Sequence, residues 1–370
     1  VFSFLETAIL RWTDPKNRSL WSQIVCTLLT PVSVAYKWLV KARNWGYDTR
    51  FFKRYSPPGS VVISVGNISA GGTGKTPLSI LLAKRFADRY RTAVIARGYR
   101  SAAEHSKGPL VMSLGEGPKL TPSQGGDEAY LLSKKVPAAY VFVGKNRIQS
   151  AILASQHETK ILLLEDGLQH RKVERDLDIV LLDSVNPTGD GLFVPLGFLR
   201  DCPTTLRRAS HLVVNLVEGH SEQLETVEQR VRPFTDAPLI GVRTVLDRVV
   251  DFAGGEIELE EYQKVALFSG IAKPERFHSL VKSTGVEVVS EYNYANHTLP
   301  SEEKLFRFSK RAKEAGATML LTTEKDAVKF YETPMLALPI GIVETKMEVV
   351  HGEETLNQLI EAIEEKVEHL

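Results

Sequence analysis

Residues 69–77, "SAGGTGKTP", join an apolar run, "SVVISVGNI", to "LSILLAKRF". Glycines at 71, 72 and 74 let successive backbone N–H groups close around phosphate oxygens. In such a loop Gly71, Gly72, Thr73 and Gly74 cradle the phosphates and Lys75 reaches the β- and γ-phosphates. Thr76 supplies a hydroxyl for Mg²⁺. The helix that follows adds its positive end. One position departs from the usual pattern: Ser69 stands where a first glycine is expected.

A nucleotide-bound Mg²⁺ calls for a carboxylate at the end of a neighbouring buried strand. "ILLLED" offers Glu165 and Asp166, and "IVLLD" offers Asp183. Either acid can equally be a strand-end residue capping a turn. The first strand is preferred because "EDGLQHR" gathers Glu165, Asp166, Gln169, His170 and Arg171 at one strand end, where open α/β folds bind ligands. A guanine-reading loop places Lys two residues before Asp, whereas "TTEKD" has Lys325 beside Asp326. Carrier ATPases with doubled-glycine loops carry a Lys where this chain has Ala70. Both switch readings lose ground.

These residues need strands and helices to position them. Through residue 217, continuous apolar runs such as "TAVIAR", "AYVFVG" and "LDIVLLD" alternate with amphipathic segments. That pattern predicts an α/β fold, a phosphate-loop NTPase-like parallel sheet flanked by helices, with a second, smaller α/β domain. The expected divisions are an N-terminal amphipathic segment (1–54), a phosphate-loop core (55–235) and a β-ribbon linker (236–260) folded around its own turn. A smaller α/β domain (261–350) and a C-terminal amphipathic helix (351–370) follow.

Composition narrows the class. The 370 residues are 43% hydrophobic and 25% charged with net charge +1, which argues against bulk nucleic-acid binding. Two cysteines, Cys26 and Cys202, are too few for a disulfide framework or a cysteine-based zinc site, so a reducing, cytosolic setting is the default. Charge is uneven, with +6 on residues 1–54 and −5 on the remainder. Residues 24–40 are strongly apolar, but Pro31 is expected to break them and Lys37 interrupts them, short of the ~20 apolar residues of a span. No signal-peptide cleavage pattern follows them. Trp38, Trp45 and Tyr47 interleave with Lys37, Lys41 and Arg43, which suits a helix lying in an anionic membrane interface; a first helix packed on the core is the alternative.

Eight blocks, in order, resemble the tetraacyldisaccharide 4′-kinase family, the lipid A kinases of Gram-negative bacteria. They are "VGNISAGGTGKTP", "ARGYRS", "GGDEAYLL", "EDGLQHRKVERDLDIVLLD", "PLGFLRD", "FSGIAKPERF", "YANHT" and "LTTEKDAVK". The resemblance runs from about residue 5 to 330. It implies transfer of the ATP γ-phosphate, with Mg²⁺, to the 4′-hydroxyl of a tetraacylated glucosamine disaccharide 1-phosphate. It also implies peripheral attachment to the cytoplasmic face of the inner membrane; a monomer with no nucleic-acid partner is expected. The family's catalytic aspartate falls on Asp127 and its partner histidine on His297; without the resemblance these read as a helix N-cap and a loop histidine. Arg97, Gln169, His170, Arg171 and Arg200 become candidates for substrate or phosphate contacts, and Thr76, Asp166 and Glu165 for the metal. Three departures stand out: Glu165 replaces the first of two aspartates, Asn296 the aspartate before the histidine, and Asp201 the glutamate after Arg200. The competing reading is a membrane-associated phosphate-loop ATPase, a carrier or switch, without a lipid acceptor.

Overall fold

The structure, a computed structural model, describes residues 20–216, 222–295, 298–330 and 332–370. The strands of the first part are β1 (Val61–Asn67), β2 (Thr92–Ala96), β3 (Leu110–Leu114), β4 (Tyr140–Val143), β5 (Ile161–Glu165), β6 (Leu177–Asp183) and β7 (His211–Leu216). Those of the second are β8 (Leu239–Val250), β9 (Lys264–Ser269), β10 (Glu287–Asn293), β11 (Met319–Thr323) and β12 (Ile340–His351). The longer helices are α1 (Leu20–Asp48), α2 (Lys75–Ala87), α3 (Asp127–Lys135), α4 (Arg147–Gln156) and α5 (Glu222–Val231). They continue with α6 (Pro274–Lys282), α7 (Glu302–Glu314) and α8 (Glu353–Glu368).

All twelve strands join one sheet in the order β10-β9-β11-β12-β8-β7-β6-β1-β5-β2-β4-β3. Pairing is parallel except at the β3–β4 edge and at β8–β12. The central strands are buried on both faces. Val61, Ile63 and Val65 pack with Leu78, Leu82 and Phe86 of α2, while Val62 faces the opposite cluster containing Ala151 and Ala154 of α4. This two-sided burial is why the runs are continuously apolar rather than alternating.

Three features differ from the expectations above. The residues around 236–260 do not form a ribbon by themselves. The turn at Asp251–Gly255 supports only a short bridge, Val250 with Glu256, and β8 takes its long antiparallel partner from β12. Since β8 also pairs with β7 and β12 with β11, these two strands make the sheet continuous. The terminal helix buries Leu359, Ile360, Ile363 and Val367 beside Leu78 and Leu82 of α2, whereas Leu370 lies past its end and is exposed. Finally, α1 runs unbroken through Pro31 for 29 residues. Proline removes the N–H that would bond the Thr27 carbonyl, but Thr27 is exposed, so that carbonyl keeps other partners. The Thr27 and Thr30 hydroxyls bond back to the Gln23 and Cys26 carbonyls at 2.8 Å each.

At about 1.5 Å per residue α1 is roughly 43 Å long. Its segment Gln23–Asp48 is long and apolar enough to cross a membrane by length and composition, with mean hydropathy 1.3. The shortfall expected for a span rested on a break at Pro31, which does not occur, and on Lys37, which lies within the helix. The C-terminal half is nevertheless docked on protein. Ser33 donates to the Phe193 carbonyl, Val40 and Tyr47 are buried, and Arg43 pairs with Asp201. Leu20, Leu28, Trp38, Leu39 and Trp45 stand exposed, each by more than 60%.

Candidate active site

β1 ends in Asn67, the turn follows, and α2 begins at Lys75. Gly71 and Gly74 take φ of 108° and 98°, values an L side chain rarely adopts, and a Cβ on Gly74 would lie 2.8 Å from the Asn215 amide nitrogen. Ser69 needs no such freedom. It forms an antiparallel bridge with Leu199, and the neighbouring Ala70 N–H donates to the Phe198 carbonyl at 2.6 Å. The missing first glycine is thus replaced by a strapped, extended start to the loop. Asn67, fully buried, donates to Thr73 Oγ1 at 2.9 Å, and Asn215 donates to the Thr73 carbonyl at 3.2 Å.

β5 and β6 flank β1, so both candidate acids end beside the loop. They are used differently. Thr76 Oγ1 donates to Glu165 Oε1 at 2.8 Å. Asp166 has φ 51°, a left-handed backbone that a non-glycine residue holds only when its surroundings fix it. Arg200 grips it with both guanidinium nitrogens, at 2.7 and 2.8 Å, and Lys75 Nζ lies 3.7 Å away. Burial would raise the Asp166 carboxyl, but Lys75 and then Arg200 outweigh it and hold it below the usual carboxylate range. Burial lowers Lys75 itself, against the attraction of Asp166. Asp183 instead pairs with Lys273 and with Arg276 at 2.7 Å, fastening α6 and the segment before it to the sheet. Asp183→Ala should therefore leave metal dependence unchanged and cost about 1–2 kcal/mol of stability, because both cations remain partly solvated. Titrating the metal requirement beside a thermal melt checks this; a shifted metal requirement would move the assignment to β6.

Burial pushes Glu165 up to about 7, helped by the charge of Glu128. The folded protein thus binds this proton more tightly than the unfolded chain, whose glutamate titrates near 4.5. Stability should then fall as pH rises from about 4.5 to 7. Glu165→Gln should flatten that slope in melts of the nucleotide-free protein, and parallel pH profiles would contradict it.

The other candidates lie at different places. Gln169 donates to the Asn67 carbonyl at 2.9 Å. His170 is lowered to about 4 by burial and then by the charge of Arg147, so it is neutral near pH 7. Arg97 pairs with Glu104 at 2.9 Å just beyond β2. Arg171, grouped above with the phosphate contacts, is committed elsewhere: it donates to the Asn44 carbonyl at 3.0 Å and to Asp48 at 2.7 Å, holding the end of α1. Its sequence neighbours signal the site, but the turn after β5 carries it away. Asp127 is the first residue of α3, and the cap position belongs to Gly126, with φ 97°. A Cβ on Gly126 would come within 3.1 Å of Gly98, so α3 begins against the end of β2. Asp127 lines a cavity of about 110 Å³ with Pro122, Ser123, Val328 and Lys329. Glu128 beside it accepts from Lys325 at 2.8 Å and adds to the field on Lys75 and Glu165. His297 lies outside the described residues.

Two contributors were not singled out from the sequence. Asn67 is a polar residue ending an apolar strand, a signal that was present. Arg147, buried at the start of α4, donates to the Gly144 and Glu165 carbonyls at 3.3 and 3.1 Å, and burial lowers it to about 10. Thr76, Glu165 and Asp166 are hard oxygen donors and fit Mg²⁺. Among the described residues no group of three or more His, Cys, Asp or Glu could hold a metal by itself, so a Mg²⁺ at this place would also need nucleotide oxygens.

A glycine loop between a central parallel strand and a helix, with a carboxylate pair on the adjacent strand, defines a phosphate-loop nucleotide-binding α/β protein. The family profile described as tetraacyldisaccharide-1-P 4′-kinase matches residues 25–365. The tetraacyldisaccharide 4′-kinase of Syntrophus aciditrophicus is 35% identical over 352 residues, covering 91% of this chain and 93% of that one. That of Halothermothrix orenii is 33% identical over 344 residues, 88% of each chain. LpxK from Aquifex aeolicus, solved in complex with ATP, superposes with a TM-score of 0.71 at 28% identity, covering 92% of this chain and 99% of that one. The chain belongs to the tetraacyldisaccharide 4′-kinase family.

Proposed function

We propose that this protein transfers the γ-phosphate of ATP to the 4′-hydroxyl of a tetraacylated glucosamine disaccharide 1-phosphate. The family match across residues 25–365 carries this reading, and the clustered Lys75, Thr76, Glu165 and Asp166 support it. The sugar hydroxyl attacks the γ-phosphorus, a new P–O bond forms, and the bond to the β,γ-bridging oxygen breaks. Asp127 accepts the hydroxyl proton and His297 orients or tunes that carboxylate. The loop N–H groups and Lys75 hold the phosphates in line. Mg²⁺, held by Thr76, Glu165 and Asp166 together with phosphate oxygens, would supply charge neutralisation. A 4′-deoxy acceptor should compete with substrate yet take no label from γ-labelled ATP; labelled 4′-deoxy glycolipid would overturn the choice of hydroxyl.

The reading includes peripheral attachment to the inner membrane's cytoplasmic face through α1. From Ser33 onward α1 is docked on protein, through Ser33 to the Phe193 carbonyl and Arg43 to Asp201, so this part of the helix lies against the protein surface. Exposed Leu28 and Leu39 beside Lys37 and Lys41 suit an anionic interface. Leu28→Glu with Leu39→Glu should lower partition onto anionic vesicles about tenfold or more. Activity on acceptor dispersed in detergent should fall much less. Unchanged vesicle binding would place the membrane contact elsewhere.

A further inference from the structure

The strand-like segment 198–201 touches both the phosphate loop and α1. On one side, the Arg200 and Asp201 N–H groups donate to the Ile68 carbonyl at 2.8 and 3.1 Å, and the Phe198 carbonyl accepts from Ala70. On the other, Tyr36 Oη donates to the Arg200 carbonyl at 3.2 Å. Asn44 donates to Asp201 Oδ1 at 2.7 Å and to Thr205 at 3.3 Å, and Arg43 donates to Asp201 Oδ2 at 3.1 Å. Asp201 is fully buried, and it also accepts from the Cys202 N–H and the Thr205 hydroxyl. Every bond to the Asp201 carboxylate is local to the segment or comes from α1. The one long side chain leaving it for the phosphate site is Arg200, which bonds Asp166 twice and also Asn67.

A guanidinium fork reads a carboxylate only in one plane, so its backbone must be held in position and rotation. The loop fixes one edge of that backbone; α1 fixes the other. We propose that Tyr36, Arg43 and Asn44 are positioning residues for Arg200, so that docking of α1 sets the geometry of the phosphate site as well as membrane attachment. None of the three has been placed among the residues that touch nucleotide or acceptor. Their position also separates the two roles of the helix. Leu28, Trp38 and Leu39 are exposed, whereas Tyr36, Arg43 and Asn44 are turned onto the protein. A membrane that pulls on the first face strains the second.

The test rests on the kinase reading above, and wild-type transfer in the same assay separates failure of that reading from failure of this one. Full-length Tyr36→Phe/Asn44→Ala is assayed on detergent-dispersed acceptor, where membrane binding does not limit the rate. The expected result is a kcat lowered about tenfold, since small misplacements of site groups cost this much or more, with KM for ATP changed less than threefold. Partition onto anionic vesicles should stay near wild type, and the variant should remain folded at the assay temperature despite the lost bond to buried Asp201. The same pair of changes in an Arg200→Ala background should then cost almost nothing further, because the group they position is gone. An equal fold-loss in both backgrounds, or a wild-type kcat in the first, would overturn the proposal. Should the double variant fail to fold, Asn44→Ala alone is run through the same cycle, with the same two outcomes deciding.

Discussion

Asp127→Ala should lower turnover by a factor on the order of 10²–10⁴ at saturating ATP, the usual weight of general-base chemistry. ATP affinity should stay near wild type, because Lys75, Thr76 and the loop glycines are untouched. Asp127 sits in the first turn of α3 but does not cap it, and the helix is tied down independently by Glu128 to Lys325 and by Lys135 to Glu324 and Glu344. The fall in rate should far exceed what any fall in melting temperature accounts for, read from steady-state kinetics beside a thermal melt. His297→Ala belongs to the same class, and if the two residues act as a unit the double variant should cost little more than the worse single. Fully multiplicative losses would make them independent.

Lys75→Ala should reduce kcat/KM for ATP by on the order of 10²–10³ or more, the loss seen when one preorganised donor is withdrawn from developing negative charge. Here the change has a second consequence. Lys75 is the first of the charges that keep Asp166 ionised, so removing it leaves the carboxylate to Arg200 and the weaker field of Arg147. Lys75→Arg should not restore activity, since a planar fork does not replace a compact ammonium in a loop closed this tightly. Equilibrium titration with a fluorescent ATP analogue, with and without Mg²⁺, checks the binding part. Full activity in Lys75→Arg would show that charge alone is required there.

The phosphate loop was legible because everything it needs is local: an apolar strand, three glycines and a Lys-Thr within one short stretch. The parallel core was legible for the same reason, through runs buried on both faces. What escaped depends on partners distant in the chain. β3 is a five-residue edge strand with a shifted register against β4, too short and mixed to announce itself. β8 looked like half of a hairpin, yet its partner lies about a hundred residues on, in β12. Pro31 reads as a breaker unless the exposure of the preceding turn is known. Arg171 and Arg200 are both arginines near strand-end motifs, but the turn after β5 sends the first to α1, while the strap at 198–201 sends the second to Asp166. Only the fold distinguishes them.

Phosphate should leave this loop for a lipid acceptor and not for water. This is tested most directly by incubating the full-length protein with γ-labelled ATP and the tetraacylated disaccharide 1-phosphate. Label is then followed into organic-extractable glycolipid and into inorganic phosphate. Nearly all turnover should appear in the glycolipid, should require the acceptor, and should fall by a factor on the order of 10²–10⁴ in Asp127→Ala. Steady release of labelled inorganic phosphate at the same rate with or without acceptor, and none in the lipid, would contradict it and favour a nucleotide-driven carrier or switch.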